Sequence, residues 1–327
     1  MFVGIARLAR DGPLLEAKAQ VDYTELPTRR YFTRCKSDRV PFDWTLNPYR
    51  GCEFGCKYCY ARYTHEFMEF HDGNEFETRI FAKAWDEREF KDELRRLDKG
   101  DLIALGTATD PYQPAERRFM LTQKMLTVMA RETGRRLGIT TKSDLVARDA
   151  ELLAEIASRN GVRVSMTITT SDAALARALE PMAPRPDLRL QAVRTLSEAG
   201  VPVSVTCSPI MPGINDSESS LDRLAAEAKA HGAIGFGGHP LFLQPCAQRV
   251  FFPFLEERFP QLARAYREQF ERSAFLRGSY PEKLQKRIVA IRERHQMATG
   301  FPVPKWDGDI QYQLNFEEGA KTEAGDE

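Results

Sequence analysis

The chain has 327 residues, enough for one large domain or two small ones, and 42% of them are hydrophobic, a share that supports an ordinary buried core. Its 47 basic and 47 acidic residues cancel to a formal net charge of zero. That balance removes any global pull toward nucleic acid and leaves only a local basic groove for such a partner. The amino-terminal run MFVGIARLARDG is too short and too interrupted by arginine for a secretory or membrane-spanning segment, so the expectation is a cytoplasmic protein with no membrane partner. Residues 1–39 read as an amino-terminal extension, and 316–327, acidic and poor in apolar groups, as a disordered tail.

The first strand candidate, Trp44 to Tyr49, runs into Asn47-Pro48-Tyr49-Arg50-Gly51-Cys52-Glu53-Phe54-Gly55-Cys56-Lys57-Tyr58-Cys59-Tyr60. Spacings of four and three put Cys52, Cys56 and Cys59 on one short loop, and glycines at 51 and 55 free the backbone to curl around a single metal centre. A structural zinc site needs four closed ligands, and the remaining cysteines, Cys35, Cys207 and Cys246, lie far off without Cys-x2-Cys pairing. Disulfide staples are not needed by a chain of this length. Three thiolates on a cubane of four irons would leave one iron open to a small molecule. This Cys-x3-Cys-x2-Cys run, with the aromatic Tyr58 before its last cysteine, resembles the signature of the radical S-adenosylmethionine (SAM) enzymes. The resemblance implies a [4Fe-4S] cluster on the three cysteines, with SAM chelating the fourth iron.

Downstream, short apolar runs alternate with helical patterns. Strands are predicted at Arg79 to Lys83, which reads equally as a loop or an edge strand, then at Leu102 to Gly106, Gly138 to Thr141, Val162 to Thr169, Val201 to Ser208 and Ile234 to Leu243. Helices are predicted at Glu87 to Leu97, Arg118 to Thr133, Ala147 to Ser158, Asp172 to Leu179, Asp187 to Ala199 and Ser217 to His231, with Gly134, Gly161, Gly200 and Gly232 as stops. Such repetition implies a parallel sheet with right-handed crossovers and an α/β fold. About six units fall short of a closed eight-stranded barrel, so an open (βα)6 TIM-like partial barrel over residues 40–246 is expected, as the resemblance also implies.

Ligand sites in such sheets form at the carboxyl ends of the strands. After the strand ending at Gly106 come Thr107, Thr109 and Asp110, whose hydroxyls and carboxylate can hold the amino group of SAM's methionine moiety; the alternative is a proline turn capped by Asp110. Lys142 and Ser143 follow the next strand, where a lysine can neutralise a carboxylate or phosphate, while Arg148 and Asp149 suit a surface ion pair. Ser165, Thr167 and Thr169 share one face, pointing into a polar interior. Arg185, in a proline-rich connection, is placed to reach SAM or substrate, and Ile214 to flank an adenine ring. His65 reads as a supporting residue or a helix cap, and His239 as a loop residue after two glycines.

The blocks Asn47 to Cys52, Tyr60 to Arg62, Thr64-His65-Glu66, Thr109 to Pro114, Thr141 to Ser143, Arg148-Asp149 and Pro212 to Asp216 are similar to those of the branch related to spore photoproduct lyase. That likeness implies reductive cleavage of SAM to a 5′-deoxyadenosyl radical, a reductant such as flavodoxin or ferredoxin, and a lyase-like reaction in DNA repair on a nucleic-acid substrate. RNA or protein modification by the same chemistry, and a non-catalytic iron-sulfur redox sensor, are the alternatives. A lyase of this kind also needs a thiol to return a hydrogen atom, for which Cys207 and Cys246 are the candidates unless they are small buried apolar groups. From 247 to 315 the pattern turns helical, with Leu284, Ile288 and Ile291 at helical spacing in a carboxy-terminal cap. The opposite face of that helix, Lys283, Lys286, Arg287, Arg292 and Arg294, is the chain's best candidate for a nucleic-acid backbone.

Overall fold

The structure, a computed structural model, describes residues 4–17, 21–28, 30–37 and 40–298; the expected tail at 316–327 and the end of the expected cap lie outside these. Among the described residues eleven strands are formed: β1 Leu14–Ala17, β2 Asp22–Leu26, β3 Phe32–Arg34, β4 Trp44–Leu46, β5 Tyr49–Arg50, β6 Arg79–Lys83, β7 Leu102–Leu105, β8 Arg136–Thr141, β9 Gly161–Thr167, β10 Val203–Ile210 and β11 Gly235–Pro240. The helices are α1 Gly4–Asp11, α2 Tyr63–Glu66, α3 Glu75–Thr78, α4 Glu87–Arg95, α5 Glu116–Phe119, α6 Leu121–Ala130, α7 Ala150–Arg159, α8 Ala173–Leu179, α9 Pro186–Glu198, α10 Glu218–Ala230, α11 Pro245–Arg258, α12 Pro260–Phe270 and α13 Tyr280–Arg294.

The main sheet has the order β11-β10-β9-β8-β7-β4-β3. Its strands from β4 to β11 are parallel, and β3 closes one edge antiparallel to β4. This is the expected partial (βα)6 barrel. Register decides which side chains face which way. Leu46, Leu105, Ile139, Val164 and Val203 stand in one row across the sheet and enter the core shared with Leu153, Ile156, Leu190 and Leu221 of the outer helices. The opposite face carries Gly138, Thr140, Ser165 and Thr206, with Ser165 Oγ and Thr206 Oγ1 2.8 Å apart, so the barrel interior is polar at these strands.

Arg79–Lys83 is a strand, but of a different sheet. It joins β2 in parallel and β5 antiparallel in a second sheet of order β1-β2-β6-β5, to which Tyr49 also belongs. The helix expected over 118–133 breaks at Met120, whose φ is +52°, because the buried Glu116 carboxylate turns back to accept from the backbone N–H groups of Thr122 and Gln123 and so caps α6. Gly134, Gly200 and Gly232 are left-handed stops as expected, whereas Gly161 opens β9.

The carboxy-terminal helices divide into two groups. Among the described residues α11 and α12 cap the barrel, packing Phe251, Leu255, Tyr266 and Phe270 against the cysteine loop. Helix α13 is the sixth barrel helix: Leu284, Ile288 and Ile291 enter the main core, and Ala298 beyond it pairs with Gly235 of β11. Its basic face is largely committed on the barrel flank. Arg294 pairs with Asp222 and Glu218, Arg287 donates to the Asp216 carbonyl, and Arg292 is buried, which leaves Lys283 and Lys286 exposed.

Candidate active site

The small sheet delivers the chain through β5 into the cysteine loop. Gly51 and Gly55 have φ of +79° and +66°, and a Cβ on Gly51 would lie 2.8 Å from the Arg79 carbonyl oxygen, so only glycine fits there. The Cys52 N–H donates to the Phe76 carbonyl (2.9 Å) and the Cys59 N–H to that of Cys56 (3.2 Å). The Gly51 carbonyl accepts from Thr109 Oγ1 (2.6 Å) and Gln113 Nε2 (3.0 Å). Arg62, ion-paired with Glu77, donates to the Cys56 carbonyl (3.0 Å). Cys52 and Cys56 are buried, Cys59 half-buried, and all three are free thiols. Burial pushes the Cys52 thiol well up, the Cys56 thiol to about 12 and the Cys59 thiol up, so a metal centre that takes them as thiolates must displace their protons.

Among the described residues no group of three or more His, Cys, Asp or Glu side chains is drawn together closely enough for one metal ion. Three unpaired thiols on one curled loop suit instead a wider centre with several metal atoms, such as an iron-sulfur cluster. Lys142 and Arg62 lie close enough for their positive charge to favour thiolates at Cys56 and Cys59.

Beneath the loop lies a buried polar network that no local sequence pattern announces. The Tyr58 hydroxyl donates to Glu180 and lies 3.1 Å from Thr169 Oγ1, while Lys142 Nζ stands 5.7 Å from the centre of its ring. Glu180 pairs with Arg189 at 2.5 Å, with both side chains at most 1% exposed. Burial alone would raise the Glu180 carboxyl, but Arg189 and Lys142 hold it below its ordinary value. Arg189 also donates to the carbonyls of Pro184 (2.8 Å) and Thr167 (3.1 Å).

The remaining expected residues are placed as follows. Asp110 accepts from Thr141 Oγ1 (2.7 Å), Lys142 N (2.7 Å) and Tyr112 N (2.9 Å), which ties the ends of β7 and β8 together; burial still raises its carboxyl. Thr107 bonds Asn47 and takes the Tyr60 hydroxyl on its carbonyl. Ser143 is buried and accepts from the Leu145 N–H. Ile214 packs against the cluster that contains Cys52, Cys56 and Tyr58. Arg148, expected at the surface, is bound to the fully buried Glu116 and Asp149. His65 is buried among Phe70, Phe76 and Phe81, with Nε2 2.9 Å from the Arg79 carbonyl oxygen. Exposed His239 lies at the end of β11, its N–H on Ser208 Oγ.

Three expectations need correction. Arg185 lies at the surface in an ion pair with Asp187, and the arginine that turns inward is Arg189, one helical turn on. Thr109 spends its hydroxyl on the Gly51 carbonyl, so it shapes the loop from behind. Cys207 shares the outward row of Val203 and Val205, is 1% exposed, and donates to the Thr169 carbonyl, which places its thiol in the core behind the sheet; burial raises it. Cys246 stands apart from Cys207 in the first turn of α11, its sulfur 3.7 Å from the Tyr60 carbonyl oxygen.

The profile of the Radical SAM superfamily matches residues 46–225, more than half of the chain. The chain belongs to the radical SAM superfamily. Among its relatives is an uncharacterized protein of Mycobacterium tuberculosis (strain ATCC 25618 / H37Rv), 35% identical over 260 residues that cover 79% of this chain and 76% of that one. An uncharacterized protein of Methanocaldococcus jannaschii is 27% identical over 280 residues, covering 85% and 95%. In fold this radical SAM protein is similar to spore photoproduct lyase: a point mutant aligns with a TM-score of 0.63 at 15% identity, covering 84% of this chain and 79% of the other. A double mutant with bound AdoMet and dinucleoside spore photoproduct aligns with a TM-score of 0.60 at 16% identity over the same shares. No helix among the described residues is long and apolar enough to cross a membrane.

Proposed function

We propose that Cys52, Cys56 and Cys59 hold a [4Fe-4S] cluster and that the protein cleaves SAM reductively, drawing its electron from a carrier such as flavodoxin or ferredoxin. The observation that carries this reading is the loop itself: three free thiols on a glycine-curled turn at the carboxyl ends of a parallel sheet, in a chain of the radical SAM superfamily. Bound there, cluster and SAM together supply one chemistry, release of methionine and a 5′-deoxyadenosyl radical that abstracts hydrogen from substrate.

The chain's own residues bind, orient and exclude. Lys142, half-buried and cationic at the end of β8, is the group to meet SAM's carboxylate, with Asp110 and Thr107 on the β7 side for its ammonium. Ser143 fixes the backbone at Leu145, Asn215 ties down the Thr169 carbonyl beside it, and Ile214 supplies an apolar wall for the adenine. Helices α11 and α12 cover the loop with aromatic side chains and keep water from it. For substrate, the fold shared with a lyase whose solved structure has dinucleoside spore photoproduct bound supports a nucleic-acid lesion as the first class to test. Cys246 is the thiol to examine as hydrogen-atom donor, since Cys207 lies behind the sheet.

The test is anaerobic reconstitution with iron and sulfide, reduction, addition of SAM and assay of 5′-deoxyadenosine, beside a variant with the three loop cysteines replaced by alanine. Deoxyadenosine from the wild type alone supports the reading and justifies screening damaged DNA, then RNA and peptides. An intact cluster that neither binds nor cleaves SAM would favour a redox sensor.

A further inference from the structure

Among the ties on the cysteine loop, two meet at Glu53, and one of them comes from outside the matched superfamily region. On the barrel side, Gln113 Oε1 accepts from the Glu53 N–H (3.0 Å) while its Nε2 donates to the Gly51 carbonyl. On the other side, the Tyr23 hydroxyl of β2 donates to Glu53 Oε2 at 2.9 Å. Glu53 sits between Cys52 and Cys56, and Tyr23 is fully buried, its ring edge-on to Phe119 at 5.4 Å with the Arg118 guanidinium 5.7 Å from its centre. Strand β2 pairs with β6, and β6 with β5, which leads directly into Gly51. The superfamily match begins at residue 46, more than twenty residues past Tyr23.

We infer that Tyr23 is a positioning residue for the metal centre: through Glu53 it fixes the Cys52–Cys56 arc, so that the amino-terminal sheet forms part of the cluster's cradle. A phenol O–H buried against a carboxylate is a directional bond, and a strand inside a sheet holds its donor with little freedom. No sheet or helix ladder runs over 51–59, where the backbone is tied by single bonds such as Met182 N–H to the Phe54 carbonyl (3.1 Å) and Lys57 N–H to the Leu179 carbonyl (2.9 Å), so a side-chain tie at Glu53 bears directly on the arc between the Cys52 and Cys56 sulfurs. Outer contacts of this kind commonly change metal affinity ten- to a hundredfold.

The inference rests on the proposed cluster for one of its two readouts only. The full chain is made as wild type, Tyr23→Phe, Glu53→Ala and Tyr31→Phe. Tyr31 is the matched control: its buried hydroxyl donates to the Ala84 carbonyl and accepts from the Asp86 N–H, neither of them in the loop. Amide hydrogen exchange over 51–59 is measured in the metal-free protein, and release of iron to a chelator after anaerobic loading with iron and sulfide. Tyr23→Phe and Glu53→Ala are expected to raise loop exchange and speed iron release about tenfold. Tyr31→Phe is expected to lower thermal stability to a similar degree and leave both readouts at wild-type values. Glu53→Ala leaves the core around β2 intact and so carries the test if Tyr23→Phe folds poorly. Equal loop exchange in the Tyr23 and Tyr31 variants overturns the inference, as does a Glu53→Ala protein that holds its iron like the wild type. Raised loop exchange in a protein whose wild type takes up no cluster leaves the positioning role standing and removes the cluster reading instead.

Discussion

The belt between the sheet and its helices and the crown at the carboxyl ends of the strands are both buried, yet they are held in different ways. The belt is apolar: Leu137, Ile139, Val164, Val203 and Leu153 are each at most 1% exposed, and their stabilisation comes from area, about 1.5–3 kcal/mol for each large side chain removed from water. The crown is polar. Tyr58, Thr169, Glu180, Arg189 and Asp110 are held by hydrogen bonds to two or three specific partners each. Losses in the belt are graded because many contacts share them. A loss in the crown strands a buried charge or donor, and the loop that carries the cysteines rests on that crown.

The contrast is tested most severely at Glu180. Replacing it by alanine leaves the Arg189 guanidinium, 1% exposed, without its carboxylate and the Tyr58 hydroxyl without its acceptor. The expected loss is about 3–5 kcal/mol of unfolding free energy by urea titration. Replacing both residues by leucine should recover much of it, since a buried pair is costly mainly when broken. A loss below about 1 kcal/mol in Glu180→Ala would mean that water reaches the pair and that the crown is no more brittle than the belt.

In the belt, Leu153→Ala on α7 should cost about 3 kcal/mol, with the exact value set by how far neighbouring helices close the space. It should leave hydrogen exchange over 51–59 unchanged in the folded protein. Raised exchange there would show that the two regions are not separable.

A smaller effect appears with pH. Burial among three phenylalanines lowers His65 to about 4 from its usual 6.5, and its Nδ1 finds no hydrogen-bond partner among the described residues. Between those values the unfolded chain binds a proton that the folded one refuses. Stability therefore falls as pH drops from about 6.5 toward 4, by up to about 1.4 kcal/mol per pH unit, and is flat with respect to this group above 6.5. His65→Phe should remove that slope in urea titrations at pH 5 and 7. An unchanged slope would assign it to other groups.

What could be read from the sequence follows the same division. The barrel strands were legible because Val162, Val164 and Met166 alternate with Arg163, Ser165 and Thr167, and the three cysteines because their spacing fits one loop. The α13 helix was legible as a helix but was mistaken for a cap, since periodicity fixes an apolar face without saying what covers it. Glu180, Arg189 and Gln113 escaped because the contacts that tie them to the cysteine loop and to one another, Glu180 to Tyr58, Gln113 to Gly51 and Arg189 to Glu180, span 122, 62 and 9 positions and no short-range rule links them. The small sheet escaped for the same reason: β2 and β6 pair across more than fifty residues, and Tyr49 was assigned to the wrong sheet because a two-residue strand has no period to read.

Arg185 and Arg189 reduce the comparison to two residues of one type, one helical turn apart. A sequence offers no reason to prefer either, and the proline-rich approach favoured Arg185. Pro186 at the first turn of α9 sets the helix phase so that Arg189 points under the sheet end while Arg185, just before the helix, faces water beside Asp187. In that exposed pair, with side chains 59% and 60% accessible, solvent screens the attraction and two long rotamers must be fixed to make it. Arg185→Ala should therefore change unfolding free energy by less than about 0.5 kcal/mol and leave SAM affinity, measured by calorimetry on the reconstituted protein, as in the wild type. A tenfold loss of SAM affinity would show that Arg185 leaves Asp187 to swing over the barrel mouth, and the crown would then include a residue that now lies at the surface.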